Sequence, residues 1–397
     1  MKKNILFIMP SLSAGGGEKS LVNLLSQIDY TLYNVDLFLF NHEGLFMDFI
    51  PKEVNVLPLP KMLNVFSLPL FSSVIKFLIK GKLNLVYNRF MFCLNNRTKK
   101  SISIKEQKSW KYLSASIDGI QKKYDTAIGF LEKTSTYFCV EKVNAKNKIG
   151  WVHIDYDNLG MNPSIDVKYF ESLDNIVTVS EECAAILRNR FPTVKEKISV
   201  IYNIVSPNMI NKMADQYKDN VYNKKEKEVT ILSIGRLHYQ KGYELSIRAC
   251  KKLVEHGHNI KWYVIGEGEE RAKLTRLIGK LNLQDHFILM GLKANPYPFI
   301  KQADIYVQTS RFEGKSIALD EAKILKKPIV VTNFSTAKDQ IKHEVDGIIV
   351  EMNPCSVASE IESIIENQPL RELLVNNLSE LDLGTEREIQ KLYQICN

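Results

Sequence analysis

Two carboxylates eight residues apart, Glu313 and Glu321, are carried by the stretch Ser310-Arg311-Phe312-Glu313-Gly314-Lys315-Ser316-Ile317-Ala318-Leu319-Asp320-Glu321-Ala322. The apolar run 303–308 before them reads as a buried strand, Thr309 and Ser310 end it, and 315–325 continues as a helix. Gly314 at the turn lets the backbone approach a ligand closely. The first N–H groups of the helix, near Ser316 and Ile317, would then point at a bound anion. Eight residues are a little over two helical turns, so Glu321 returns to the face on which the helix opens. There its carboxylate can accept hydrogen bonds from hydroxyls such as those of a ribose. Two glutamates at this spacing also suit a plain solvated helix face.

A second cluster follows the apolar run 229–234. Gly235-Arg236-Leu237-His238-Tyr239-Gln240-Lys241-Gly242 leads into a helical pattern over 243–255. Arg236 and Lys241 thus lie on a loop at the carboxyl end of a strand, where open α/β sheets bind ligands. A guanidinium fork and an ammonium point charge there would stabilise a departing diphosphate. An ordinary basic surface loop is the alternative. At the amino terminus, 4–9 reads as a first buried strand, followed by Ser11 to Glu18 with Gly15, Gly16 and Gly17, and a helix over 19–27. Glycines opening a helix admit phosphate to the backbone, although such turns occur throughout doubly wound folds. His153 closes a strand at 149–153 and is open to either a structural or a functional reading.

Taken together, E-x7-E, G-R-L-x3-K-G and the amino-terminal G-G-x-E resemble the GT-B glycosyltransferases of family 4, retaining enzymes that use nucleotide-sugar donors. The resemblance spans essentially the whole chain. It implies an α/β GT-B fold of two Rossmann-like, doubly wound domains facing a cleft. It implies that Glu313 contacts the transferred sugar, Glu321 holds the ribose, and the backbone of Gly314, Lys315, Ser316 and Ile317 meets the diphosphate. Arg236 and Lys241 would stabilise the leaving group beside Gly235, Gly16 and Gly17 would lie against the donor, and His153 would support the sugar from across the cleft. Many members carry an aromatic residue or proline after the glycine, where this chain has Lys315 and Ser316. In this family's usual course the acceptor hydroxyl attacks on the face from which the diphosphate leaves. A phosphate oxygen takes the proton, and neither metal nor cofactor takes part. Asp155-Tyr156-Asp157 is formally a D-x-D, yet it follows a first-domain strand. The implied reaction moves a hexose or N-acetylhexosamine, most commonly from a UDP-sugar, to a glycan acceptor. A lipid-linked acceptor of bacterial surface polysaccharide or capsule synthesis fits. A sugar-nucleotide epimerase of the same fold and a non-catalytic accessory subunit are the alternatives.

The elements that must position these residues follow from length and pattern. A chain of 397 residues exceeds one ordinary core, which favours two domains, 1–203 with a final helix over 384–397 and 204–383. Strands are expected at 4–9, 35–40, 126–130, 149–153, 175–179 and 198–202, a polar linker at 211–228, and further strands at 229–234, 261–265, 287–290, 304–308, 328–332 and 347–350. Between Lys61 and Lys123, thirteen Lys and Arg face two acids, a net of +11 beside +8 for the whole chain. Interleaved with Phe66, Phe71, Ile75, Phe77, Phe90 and Trp110, this charge suits anionic lipid. The alternative is a helical insertion packed on the first domain with solvated lysines. Nucleic acid is not expected. The six cysteines form no C-x-x-C pair, which argues against a disulfide framework or zinc ribbon, and no run of about eighteen apolar residues predicts a membrane span. The expected location is cytoplasmic, either soluble or peripheral on the inner face of the cell membrane.

Overall fold

The computed structural model describes residues 2–13, 15–99, 101–216 and 220–396. Lys100 of the basic stretch, 217–219 of the expected linker, and the chain ends therefore lie outside the described residues. Two compact units emerge, one built mainly on Gly17–Tyr202 with the segment from Glu388, the other on Asn203–Arg387.

The first unit holds a seven-stranded sheet of β1 (Lys3–Met9), β2 (Tyr33–Leu39), β3 (Asn55–Val56), β4 (Ile120–Gly129), β5 (Val143–Val152), β6 (Asn175–Thr178) and β7 (Ile198–Val200). Their order is β3-β2-β1-β4-β5-β6-β7, and every pairing is parallel. The second holds β8 (Val229–Ile234), β9 (Ile260–Ile265), β10 (Phe287–Gly291), β11 (Ile305–Gln308), β12 (Ile329–Thr332) and β13 (Ile348–Val350), also all parallel, ordered β10-β9-β8-β11-β12-β13. Helices cover both faces, so side chains alternate between two cores. In β9, Trp262 and Val264 enter one cluster while Tyr263 and Ile265 enter the other. A strand buried on both faces must be apolar throughout, which is why these strands read as continuous hydrophobic runs.

Several expectations need correction. β3 went unseen because a two-residue strand carries no pattern. The polar stretch after 203 is not simply a linker. Ser206 and Pro207 start a helix, Pro207–Ala214, that buries Ile210 and Ala214, and the buried Tyr222 donates its hydroxyl to the Phe299 carbonyl at 2.8 Å. The helix expected from Lys19 already begins at Gly16, and the one expected from Lys315 begins at Ile317, because Ser316 is its cap.

Between β3 and β4 the described residues of the first unit carry four α-helices, Lys61–Ser67, Leu70–Ile79, Leu83–Asn96 and Ile102–Leu113. Phe66, Phe77 and Leu85 form their own small core. The last of these helices is pinned to the sheet domain: Trp110 Nε1 donates to Glu141 at 2.9 Å, and Gln107 donates to the buried Asp166 at 2.7 Å. Tyr137 and Tyr156 also donate to Asp166, so its carboxylate is well satisfied, although burial pushes its pKa up.

The final helix, Ile389–Cys396, is part of the first unit. Tyr393 stacks on Tyr33 at 5.1 Å and accepts the Asp29 N–H at 2.7 Å, while Leu392 is fully buried. Leu392→Ala should cost the first unit about 3 kcal/mol, read from urea unfolding, because it leaves a cavity under a helix held by one apolar stripe.

Candidate functional site

In the second unit, chain order reverses between β8 and β11, which lie side by side. Such a switch point leaves a crevice at the carboxyl ends of the strands. The two loops that leave those ends are the two clusters read from the sequence. They are tied together by the Arg311 N–H to the Gln240 carbonyl at 2.7 Å and by the Gln240 amide to the Phe312 carbonyl at 3.0 Å. Thr309 Oγ1 adds a bond to the Lys241 carbonyl at 3.1 Å. Gly242 makes this approach possible. Its φ is +61°, and a Cβ there would stand 2.3 Å from the Thr309 carbonyl oxygen. Arg311 closes the far side by pairing with Glu244 and lying over the Tyr239 ring at 4.2 Å.

The loops hold Glu313 and Lys241 in contact. Lys241 Nζ lies 2.5 Å from Glu313 Oε1, with side-chain exposures of 17% and 8%. Ser310 Oγ donates to the same oxygen at 2.6 Å, and Gln240 Nε2 donates to Oε2 at 3.1 Å. A carboxylate this deeply placed is costly unless its lone pairs are satisfied, and here both oxygens are. The solvated-face reading of the two glutamates is excluded, since Glu313 is 6% and Glu321 1% exposed. Gly235 abuts the same lysine, and a Cβ on it would come within 2.9 Å of Lys241 Cε. Arg236 stands exposed five positions before Lys241 on the loop.

The helix start departs from expectation. The Ser316 N–H does not point outward to an anion: it donates to Gln340 Oε1 at 2.8 Å, and Gln340 Nε2 returns a bond to the Ser316 carbonyl at 2.9 Å. Ser316 Oγ donates to Gln308 at 2.8 Å and caps the Leu319 N–H. The cause is burial, since a backbone donor at a 5% exposed residue must be satisfied within the protein. Gly314 and Ile317 are buried beside it and Lys315 is half-buried. Glu321 accepts the Tyr297 hydroxyl at 3.0 Å. Burial raises the neighbouring Asp320 carboxyl, opposed by the Lys315 charge.

Gln240, Ser310, Gln308, Gln340 and Tyr297 were missed by sequence reasoning. Ser310 and Gln240 sat inside the two motifs and could have been found by asking what satisfies a buried glutamate. Gln340 and Tyr297 carry no sequence signal, being brought in by tertiary packing.

After β1, Gly16 has open space where a Cβ would sit, whereas a Cβ on Gly17 would meet Leu131 Cδ2 at 3.1 Å. Packing across the β1 and β4 loops therefore accounts for Gly17 alone. His153 follows β5 and is held between rings, 4.8 Å from Phe130 and 5.9 Å from Trp151. Its Nε2 has no hydrogen-bond partner among the described residues. Burial depresses its pKa from 6.5 to about 3, so the imidazole is neutral at pH 7. Below pH 6.5 the unfolded side chain takes up a proton that the folded one refuses, so stability falls as pH drops from 6.5 towards 3. His153→Gln should flatten that window, checked by thermal melts at pH 7 and pH 4.5. The D-x-D carboxylates have separate tasks: Asp155 accepts the Asp157 and Asn158 N–H groups at 3.1 Å, and Asp157 pairs with Arg190 at 2.9 Å. Among the described residues, the grouping with metal-ligand spacing is His258, Glu362 and Glu366. It lies past the far end of Tyr243–Glu255, about 20 Å along that helix from Gly242.

Two doubly wound parallel sheets of this kind define the GT-B fold. S. aureus TarM, crystallised with fondaparinux, α-GlcNAc-glycerol and UDP, superposes with a TM-score of 0.67 at 17% identity, covering 100% of both chains. Residues 215–380 match the family described as glycosyl transferases group 1. An uncharacterized glycosyltransferase of Methanocaldococcus jannaschii is 31% identical over 44% of this chain and 43% of its own length. The N-acetylgalactosamine-N,N'-diacetylbacillosaminyl-diphospho-undecaprenol 4-alpha-N-acetylgalactosaminyltransferase of Campylobacter jejuni is 29% identical over 48% and 50%. The chain thus spans about half the length of the curated relatives it matches.

Proposed function

We propose that this protein is a retaining, metal-independent glycosyltransferase that moves a hexose or N-acetylhexosamine from a nucleotide sugar to a glycan. The observation that carries the reading is the buried Lys241–Glu313 pair, held by Gln240 and Ser310 at the switch point of the second sheet. Lys241 has three N–H donors and Glu313 occupies one direction, so the ammonium can serve a phosphate while keeping the glutamate in place. Arg236 shares that charge. Glu313 orients sugar hydroxyls, Glu321 takes the ribose, and the Gly314–Ile317 segment lies along the diphosphate through groups other than the Ser316 N–H, which Gln340 holds. His153, neutral and ring-packed, takes the role of supporting the transferred sugar, and Gly16 and Gly17 flank the donor. The leaving phosphate takes the acceptor proton.

A UDP-sugar is the donor we favour, supported by the UDP bound in TarM. A lipid-linked glycan is the acceptor we favour, supported by the diphospho-undecaprenol in the name of the Campylobacter relative. Surface polysaccharide synthesis at the cytoplasmic face of a membrane, met through 61–123, follows from that choice. Among the described residues no helix is long and apolar enough to cross a membrane. Proton NMR of the product tests the stereochemistry: an α-linked donor should give an α-linked product, and a β linkage would sink the retaining mechanism.

A further inference from the structure

We infer that the helical pair Leu70–Ile79 and Leu83–Asn96 is a wedge that seats on an anionic bilayer, an inference that rests on the membrane assignment of 61–123 and gives it a face. On the first helix Phe71, Ile75, Leu78 and Ile79 are 82%, 56%, 49% and 80% exposed. At 100° per residue they fall within an arc of about 100°, one continuous stripe. On the second, Leu83, Tyr87, Phe90 and Leu94 are 69%, 60%, 52% and 41% exposed and fall within about 60°. The helices turn the opposite way from a core-seeking pair. Their apolar stripes face outward, while Ser73 and Asn88 are buried beside Phe77 and Leu85.

The hairpin's hold on its own unit uses other side chains. Arg89 donates to the Leu68 carbonyl at 3.0 Å and lies over the Phe66 and Phe92 rings, and the neighbouring helix is pinned through Trp110 and Gln107. The exposed stripes are therefore spare, and apolar surface left out on this scale marks an interaction site.

Charge decides the occupant. From Val54 to Lys105 there is no acid, while nine Lys and Arg fall in that stretch. Lys76, Lys80 and Lys82 are exposed beside the stripes and around the turn between the helices. Two copies pressed face to face would set these cations against one another with nothing to neutralise them. An anionic headgroup layer accepts them, and its acyl boundary accepts Phe71 and Ile79.

The test is flotation of the full chain with phosphatidylcholine vesicles, with and without phosphatidylglycerol. Binding should require the anionic lipid and weaken with salt. Phe71→Ser/Ile79→Ser/Leu83→Ser should lower partitioning at least tenfold, and Lys76→Gln/Lys80→Gln/Lys82→Gln about a hundredfold. Circular dichroism and transfer to a water-soluble acceptor should stay unchanged in both variants. Equal binding by the serine variant would overturn the wedge. So would a wild type that ignores vesicles and forms a dimer by light scattering that the serine variant dissolves. Failure of the transferase reading shows separately, as no nucleoside diphosphate release from wild type in a vesicle-free assay.

Discussion

Lys241→Ala is expected to lower turnover by about 10²- to 10³-fold and to destabilise the second unit by about 3 kcal/mol. Both effects have one origin. The ammonium is the charge assigned to the leaving diphosphate, and it is also the partner of a glutamate that is 6% exposed. Removing it strands the Glu313 charge, leaving the neutral donors Ser310, Gln240 and, at 3.5 Å, Gln308. Glu313→Ala should be similarly inactive and should strand Lys241 instead. The double variant separates the roles. With neither charge left unpaired, it should recover much of the lost stability by chemical denaturation yet remain as inactive as either single variant. Near-normal turnover in both single variants would remove the pair from the reaction.

Gly242→Ala should damage stability and activity together through a single methyl. At φ +61° a non-glycine residue is already strained by about 1–2 kcal/mol, and the added Cβ would lie 2.3 Å from the Thr309 carbonyl, a backbone atom that cannot rotate away. The β8 and β11 loops would have to separate, carrying Lys241 from Glu313. A loss above about 3 kcal/mol is expected, with activity lost alongside it. Unchanged melting and unchanged turnover would show that the loop approach is not needed.

The second unit was legible because the physics there is redundant. Each strand is buried on two faces and so announces itself as an apolar run, and each motif sits where a strand ends. The expected strands near 229, 261, 287, 304, 328 and 347 all formed. The first unit was less readable, since the insertion between β3 and β4 interrupts its rhythm with helices whose apolar periodicity resembles a core pattern. Only the fold shows that Phe77 points in while Phe71 and Ile79 point out. Glu313 and Lys241 were visible as chemistry, but their direct pairing was not, because spacing gives neither distance nor burial. The Ser316 N–H reversed its expected role for the same reason. Gln340 reaches it from the short helix Ala337–Gln340, and no local pattern announces that contact.

Nucleoside diphosphate release by the purified chain, measured in EDTA across UDP-, GDP- and ADP-sugars with and without lipid-linked glycans, tests the central claim most directly. One donor should release its nucleotide, the rate should rise with acceptor, and Lys241→Ala should lower it at least about a hundredfold. No release from any donor, with no detectable nucleotide binding to the folded protein, would contradict the account.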